Sequence, residues 1–432
     1  MQTKETCQIS HSMANTFAEI LREELVPAMG CTEPIALAYC SAKARDVLGH
    51  IPDRLHILVS GNILKNVKSV IVPNTNGLKG ISAAAAAGII AGQSDKILEV
   101  IADVSEEEKK NMVLYLEKTP ITVAPLESEY LLDMIVEAYY QNDCAKVRIA
   151  DYHTNIISIE KNEEVLFTAA TSENKDTDLV ANKGLLNIER IVAFADMADL
   201  DTLHDVLDLQ ISYNTAIAKE GLENNYGANI GSTLLKIYGN DIKVRAKALA
   251  AAGSDARMSG CELPVIINSG SGNQGMTASL PVIAFAEELG VSKDMLYRAL
   301  IVSNLTAIHL KTGIGRLSAY CGAISAGCGA GAGVAYLHGG KFKEIAHTVV
   351  NALGIASGVV CDGAKSSCAA KIALAVDAGI LGYFMYTEGK QFLGGDGLIS
   401  KGVENTIRNI NRLGKEGMRE TDKEIIRIMC DY

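Results

Sequence analysis

Apolar positions recur with helical spacing over residues 13–25, and Pro27 ends that stretch because proline lacks the backbone donor that a helix interior needs. A second helix is expected over 35–48, with Pro34 suited to its first turn. Cys31, within Gly30-Cys31-Thr32-Glu33-Pro34, then falls at or just before a helix N-terminus. The pattern changes after Gly49. Residues 54–60 and 66–72 read as strands, 81–91 as a helix of small residues, and 147–159 followed by 164–169 as a hairpin with two alternating arms. From about residue 185 the spacing is helical in nearly every periodic segment: 188–209, 232–237, 243–252, 276–289, 293–310, the region through 337, and 342–356.

This pattern predicts an α+β fold, a mostly helical domain with a smaller α/β domain inserted near the N-terminus. The expected boundaries are 1–49 for N-terminal helices packing with the helical domain, 50–172 for the α/β domain, and 185–432 for an all-helical domain. Residues 172–178, SENKDTD, are polar enough for a linker. A chain of 432 residues is too long for one ordinary core, which agrees with more than one unit. No self-similarity of the kind repeat proteins show is present.

Hydrophobic residues make up 48% of the chain, which raises the question of a membrane. The longest apolar runs, 81–91 and 328–337, fall short of the ~18 residues a spanning helix needs. Their small side chains suit closely packed interior helices instead. A net charge of -11 argues against nucleic acid, because phosphate binding needs a basic surface. The acidic-basic run at 106–110 reads as a solvated helix face. The first ten residues lack the apolar core of a signal peptide, so a cytoplasmic location is expected. There, cysteines used for chemistry act as nucleophiles or metal ligands. Four of the ten cysteines, Cys321, Cys328, Cys361 and Cys368, fall within 48 residues. Cys7, Cys40, Cys144 and Cys261 stand apart and suit packing.

Three loops hold the informative residues. Residues 253–260, GSDARMSG, are followed by 268–275, NSGSGNQG, which opens a helix at Met276. Backbone N–H groups and short polar side chains there can converge on an anion such as a carboxylate. No βαβ context follows, so this is not a dinucleotide fingerprint. The second loop, 318–322, runs into the glycines of 327–333; each costs about 1 kcal/mol relative to alanine in a helix, so something must approach that backbone closely. In the third, Cys361 and Cys368 bracket a turn before another apolar helix. Spacings of 40 residues from Cys321 to Cys361 and 7 to Cys368 match neither zinc pairs nor the ferredoxin run. Three thiols supplied by loops, leaving one iron of a cubane without a protein thiolate, suit a Lewis acid better than an electron carrier.

These loops, with Gly30-Cys31-Thr32-Glu33-Pro34, resemble the iron-sulfur-dependent L-cysteine desulfidase family, which is similar to the α subunit of bacterial iron-sulfur L-serine dehydratases. The resemblance covers essentially the whole chain and makes the helical domain the catalytic one. It implies a [4Fe-4S] cluster bound by Cys321 and Cys361, with Cys368 as third ligand and Cys328 or Cys31 as substitutes. It also implies α,β-elimination on a small amino acid, giving hydrogen sulfide, ammonia and pyruvate from L-cysteine. L-serine is the alternative substrate, and a non-catalytic iron-sulfur redox or sensing protein is an alternative of another class. Within this reading Cys31 at its helix end is the candidate base. Ser269, Ser271, Asn273 and Arg257 are the candidates to grip the substrate carboxylate. The region of Asp255 and His309 is next in line for the base. No nucleic-acid or membrane partner is expected, and assembly into a homo-oligomer is left open.

Overall fold

The computed structural model describes residues 9–169, 181–315 and 317–430, so the expected linker at 172–178 lies outside the described residues. Strands β1 (Pro27–Met29), β2 (Arg54–Val59), β3 (Ile121–Pro125), β4 (Asp133–Tyr140), β5 (Asp143–Ala150), β6 (Ile156–Lys161), β7 (Glu164–Thr168) and β8 (Pro264–Ile266) make two sheets. The larger runs β3-β2-β4-β5-β6-β7; β2 and β3 are parallel and the other neighbours antiparallel. Alternate residues of β2, Leu55, Ile57 and Val59, are fully buried, which fixes its register through the face they must keep covered.

The Thr32–Leu48 helix lies against β4 and β5 and beside the Gly80–Ala91 helix. This differs from the expectation that residues 1–49 pack with the helical domain. The reason is steric: a Cβ on Gly88 would sit 2.1 Å from the Ala38 carbonyl oxygen, so the two small-residue helices meet backbone to backbone. The His11–Glu24 helix does pack on the helical half, against the Lys293–Thr312 helix. β1 pairs with β8, Pro27 opposite Ile266, and ties the chain before Cys31 to the chain before Ser269.

At the centre of the helical half is the Gly322–Leu337 helix, surrounded by Gly272–Leu289, Lys293–Thr312, Phe342–Ala356 and Cys368–Thr387. Its glycines are where backbones touch. A Cβ on Gly327 would lie 2.3 Å from the Ala375 oxygen, and one on Gly331 2.5 Å from the Gly379 oxygen. The close approach that the glycine run demands is thus made by the Cys368–Thr387 helix on one side and, at Gly329, where a Cβ would lie 2.4 Å from the Ser303 oxygen, by the Lys293–Thr312 helix on another.

Several local expectations differ from the structure. Residues 66–72 do not form a strand: Gly61–Val67 is a helix, and Ile71 makes a single bridge to Lys79. A run this short carries no period long enough to separate one helical turn from a strand. The arm at 147–159 is two strands, β5 and β6, broken at Asp151 with φ 71°. The helix at 188–209 is interrupted between Met197 and His204. Residues 253–258 continue the Ile242–Met258 helix, because Gly253 is pressed against Met276, where a Cβ would lie 2.6 Å from Sδ. Strand β8 interrupts the all-helical half. Among the described residues one helix, Cys368–Thr387, is long and apolar enough to cross a membrane by length and composition. It carries Lys371 and Asp377 and packs most closely against the Ile242–Met258, Gly322–Leu337 and Phe342–Ala356 helices.

Candidate active site

Tyr320 and Val360 form an isolated antiparallel bridge. The Cys321 N–H donates to the Val359 oxygen at 3.1 Å and the Cys361 N–H to the Ala319 oxygen at 2.7 Å. Two loops 40 residues apart in sequence are thereby held side by side at their cysteines. Beyond them Gly363, at φ +89°, brings the chain so near the 61–67 helix that a Cβ would lie 2.6 Å from the Lys65 oxygen. The chain then reaches Cys368 at the start of its helix, where the Lys365 N–H donates to Sγ at 3.4 Å.

These three thiols line one cavity of about 110 Å³ together with Cys31, Ser271 and Arg257. Helix ends build it. Cys31, Ser271 and Cys321 are the N-caps of three helices and Cys368 opens a fourth; none of the four helices has a side-chain cap hydrogen bond. First-turn N–H groups and the positive ends of the helix dipoles therefore favour an anion here. Arg257, nearly buried, adds a cationic group to the lining, while Lys65 pairs with Asp422 at 2.6 Å and Glu33 supplies the opposite charge.

The lining asks for a polar guest. Arg257 Nε, Asn273 Oδ1, Gln274 Oε1 and Asn66 Oδ1 are buried without a hydrogen-bond partner, each an arrangement that costs about 1 to 3 kcal/mol if nothing fills it. Among the described residues no three His, Cys, Asp or Glu side chains stand close enough to share one metal ion. The thiolates of a cubane each bind a different iron, so they surround a volume rather than converge on a point. Cys321, Cys361 and Cys368 do surround one, and the donor set fits such a cluster. Burial, then the neighbouring Cys361, pushes the Cys321 thiol up to about 12, and burial also raises Cys368. Metal binding would reverse this, since the thiolate is the ligand form.

Cys31 is the N-cap that the sequence suggests, but its thiol is held as a thiol. Burial and the Glu33 carboxylate push it well above its ordinary value, and Sγ donates to Glu33 Oε2 at 3.1 Å. The helix end alone does not make the thiolate that the pattern suggests. Burial opposes ionisation of Glu33, yet the charge of His153 and the Cys31 hydrogen bond leave its carboxyl below the usual range. Thr32 Oγ1 at 3.1 Å and Asn66 Nδ2 at 2.8 Å also donate to it. Ser271 and Asn273 line the cavity, and Arg257 lies beneath Gly272, where a Cβ would be 2.4 Å from Nε. Ser269 does not share that lining. It and Gly270 have φ 51° and 77° in a two-residue turn closed by Asn268 and Ser271, which aims Ser269 at a second cavity.

Of the substitute ligands, Cys328 is buried in mid-helix away from the cavity. Asp255 accepts the Gly231 N–H at 3.1 Å and His309 pairs with Glu404 at 2.8 Å; neither lines the cavity. Sequence reasoning assigned no role to Glu33, Lys65, Asn66, Gln274 or Lys311, all of which do. Glu33 stood inside a quoted motif, so its position beside Cys31 was the available signal. Gln274 likewise stood inside the quoted 268–275 loop, while nothing in the local pattern marked Lys65, Asn66 or Lys311.

Residues 95–427 match the family described as serine dehydratase alpha chain. The chain belongs to the serine dehydratase alpha chain family. It is a family of dehydratase-like lyases, and membership agrees with the resemblance read from the motifs. Relatives align over nearly their full length. A UPF0597 protein of Desulfitobacterium hafniense is 64% identical, covering 96% of both chains. One of Lachnoclostridium phytofermentans is 51% identical, covering 97% of this chain and all of the other. One of Treponema denticola is 44% identical, covering 98% and 99%.

Proposed function

We propose that the chain is a lyase that carries out α,β-elimination on L-cysteine, giving hydrogen sulfide, ammonia and pyruvate. The observation behind this reading is the meeting of three loop thiols, four helix N-termini and the Cys31–Glu33 pair around one cavity. Cys321, Cys361 and Cys368 would hold a [4Fe-4S] cluster, which when bound supplies an iron Lewis acid for the departing thiolate. Arg257, Asn273 and the N-terminus of the Gly272–Leu289 helix bind the substrate carboxylate and fix the α-carbon. Cys31 and Glu33 take the α-proton together: it moves from carbon to the Cys31 sulfur as the thiol proton moves along its existing hydrogen bond to Glu33 Oε2, so no free thiolate forms and the ionised Glu33 is the net acceptor. The aminoacrylate so formed hydrolyses to pyruvate and ammonia.

The family match favours a second reading in which L-serine is the substrate and hydroxide leaves. The partner is in both cases a small amino acid. The acidic balance of the chain supports a function without a nucleic-acid partner. Anaerobic reconstitution with iron and sulfide, followed by assay of L-cysteine and L-serine side by side, tests the proposal. Sulfide and pyruvate in equal amounts from L-cysteine are expected. Pyruvate from L-serine alone would install the second reading, and pyruvate from neither would overturn both.

A further inference from the structure

A second cavity, of about 390 Å³, adjoins the first, and Lys311 and Leu317 line both. Its walls come from both halves of the molecule. The loop after β3 supplies Glu129 and Leu131, the turn after β5 supplies Asp151, the first helix ends in it at Glu24, and the substrate loop contributes Ser269. Charges of both signs face it. Glu24, itself 4% exposed, pairs with Lys183, while Lys311 is 4% exposed at the junction with the inner cavity. The Glu24–Lys183 pair is neutral as a unit, and with Glu129, Asp151 and Lys311 the lining carries both signs of charge, so neither sign alone matches it. A molecule carrying one charge of each sign can face its own complement on both walls. The inner cavity is small, and the outer one is large enough to hold a free amino acid before it passes Lys311.

We infer that this outer cavity is an antechamber that binds the zwitterionic amino acid and hands its carboxylate, through Lys311, to the cysteine-lined cavity. The inference rests on the proposed function for the identity of its guest. It gives the sheet a direct part in substrate access, because the loop before β4 and the turn after β5 form one wall. It also gives Ser269 a place in front of the inner site rather than within it.

The chain contains no tryptophan, so Leu131→Trp introduces a single indole reporter at a position 53% exposed, where the core is not disturbed. Titration of this variant without any cluster, using L-serine, should change the indole emission saturably. Propionate and ethanolamine, each carrying half of the charge pattern, should require at least about tenfold higher concentration. Adding Lys311→Met should weaken the L-serine response by a similar factor. In the reconstituted enzyme the bulky indole should raise KM about tenfold while the visible absorbance stays that of the parent. Failure of the variant to fold would show in its far-ultraviolet dichroism, and Thr312→Trp, on another wall, then takes its place. No emission change together with an unaltered KM would overturn the antechamber while leaving the elimination intact. A saturable L-serine response in a protein that eliminates nothing from either amino acid would overturn the proposed function and keep the binding site.

Discussion

Cys321 caps the Gly322–Leu337 helix and Cys328 lies inside it, yet of the two the first lines the cavity and the second is core. At the helix end the backbone N–H groups have no partners and a thiol can face a guest. In the middle the same groups are consumed by the helix, and the glycines around Cys328 bring neighbouring backbones close enough to shut out any ligand. The two environments differ although the sequence around both is glycine-rich. Position relative to the helix end, not the cysteine itself, decides which one can do chemistry.

The sharpest way to break this comparison is to remove the thiols that line the cavity. Cys321→Ala and Cys361→Ala should each abolish the visible iron-sulfur absorbance of anaerobically reconstituted protein, since each leaves one iron without a replacement ligand. Near-normal iron and sulfide content in either variant would sink the assignment. Next in size, Cys31→Ser should keep that absorbance and lose about 100-fold or more in turnover, because a serine hydroxyl is a far weaker acid than a thiol and relays a proton to Glu33 less readily. Bleaching would make Cys31 a ligand instead, and wild-type turnover would remove it from the mechanism.

Smaller effects are expected where the helix end grips substrate. Ser271→Ala and Asn273→Ala should leave the absorbance intact and cut kcat/KM by about 1 to 3 kcal/mol of lost hydrogen bonding to a charged group. Unchanged kinetics would mean that the carboxylate sits elsewhere. Smallest of all, Cys328→Ala should bind its cluster and turn over normally, and lose only about 1 kcal/mol of stability in urea unfolding from its small vacated volume. Loss of iron from this variant would erase the distinction between the two ends of the comparison.

Much of this was legible in the chain. Helical spacing located the Phe342–Ala356 helix to the residue, and Pro34 placed Cys31 at a helix start. The glycine run announced a close approach before its partner was visible. By contrast, the 61–67 helix and the continuation of 243–252 to Met258 were invisible, because buried neighbours rather than local propensity hold them. Asn66 went unassigned because its stretch reads as a strand, and Lys65 because it falls between two such stretches; the 61–67 helix meets the site through contacts with Gly363 and Glu33 from far along the chain.

The sequence by itself determined which residue types could act and where helices begin, since both depend on side-chain chemistry and on spacing within a few residues. Tertiary structure decided which of them meet. The Tyr320–Val360 bridge sets Cys321 beside Cys361, the turn at Gly363 brings in Cys368, and the two-residue turn at Ser269 points that hydroxyl away from its neighbours Ser271 and Asn273. Even the state of Cys31 was decided there: a helix end favours a thiolate, but burial beside the Glu33 carboxylate costs more than the helix end returns, so the proton stays on sulfur.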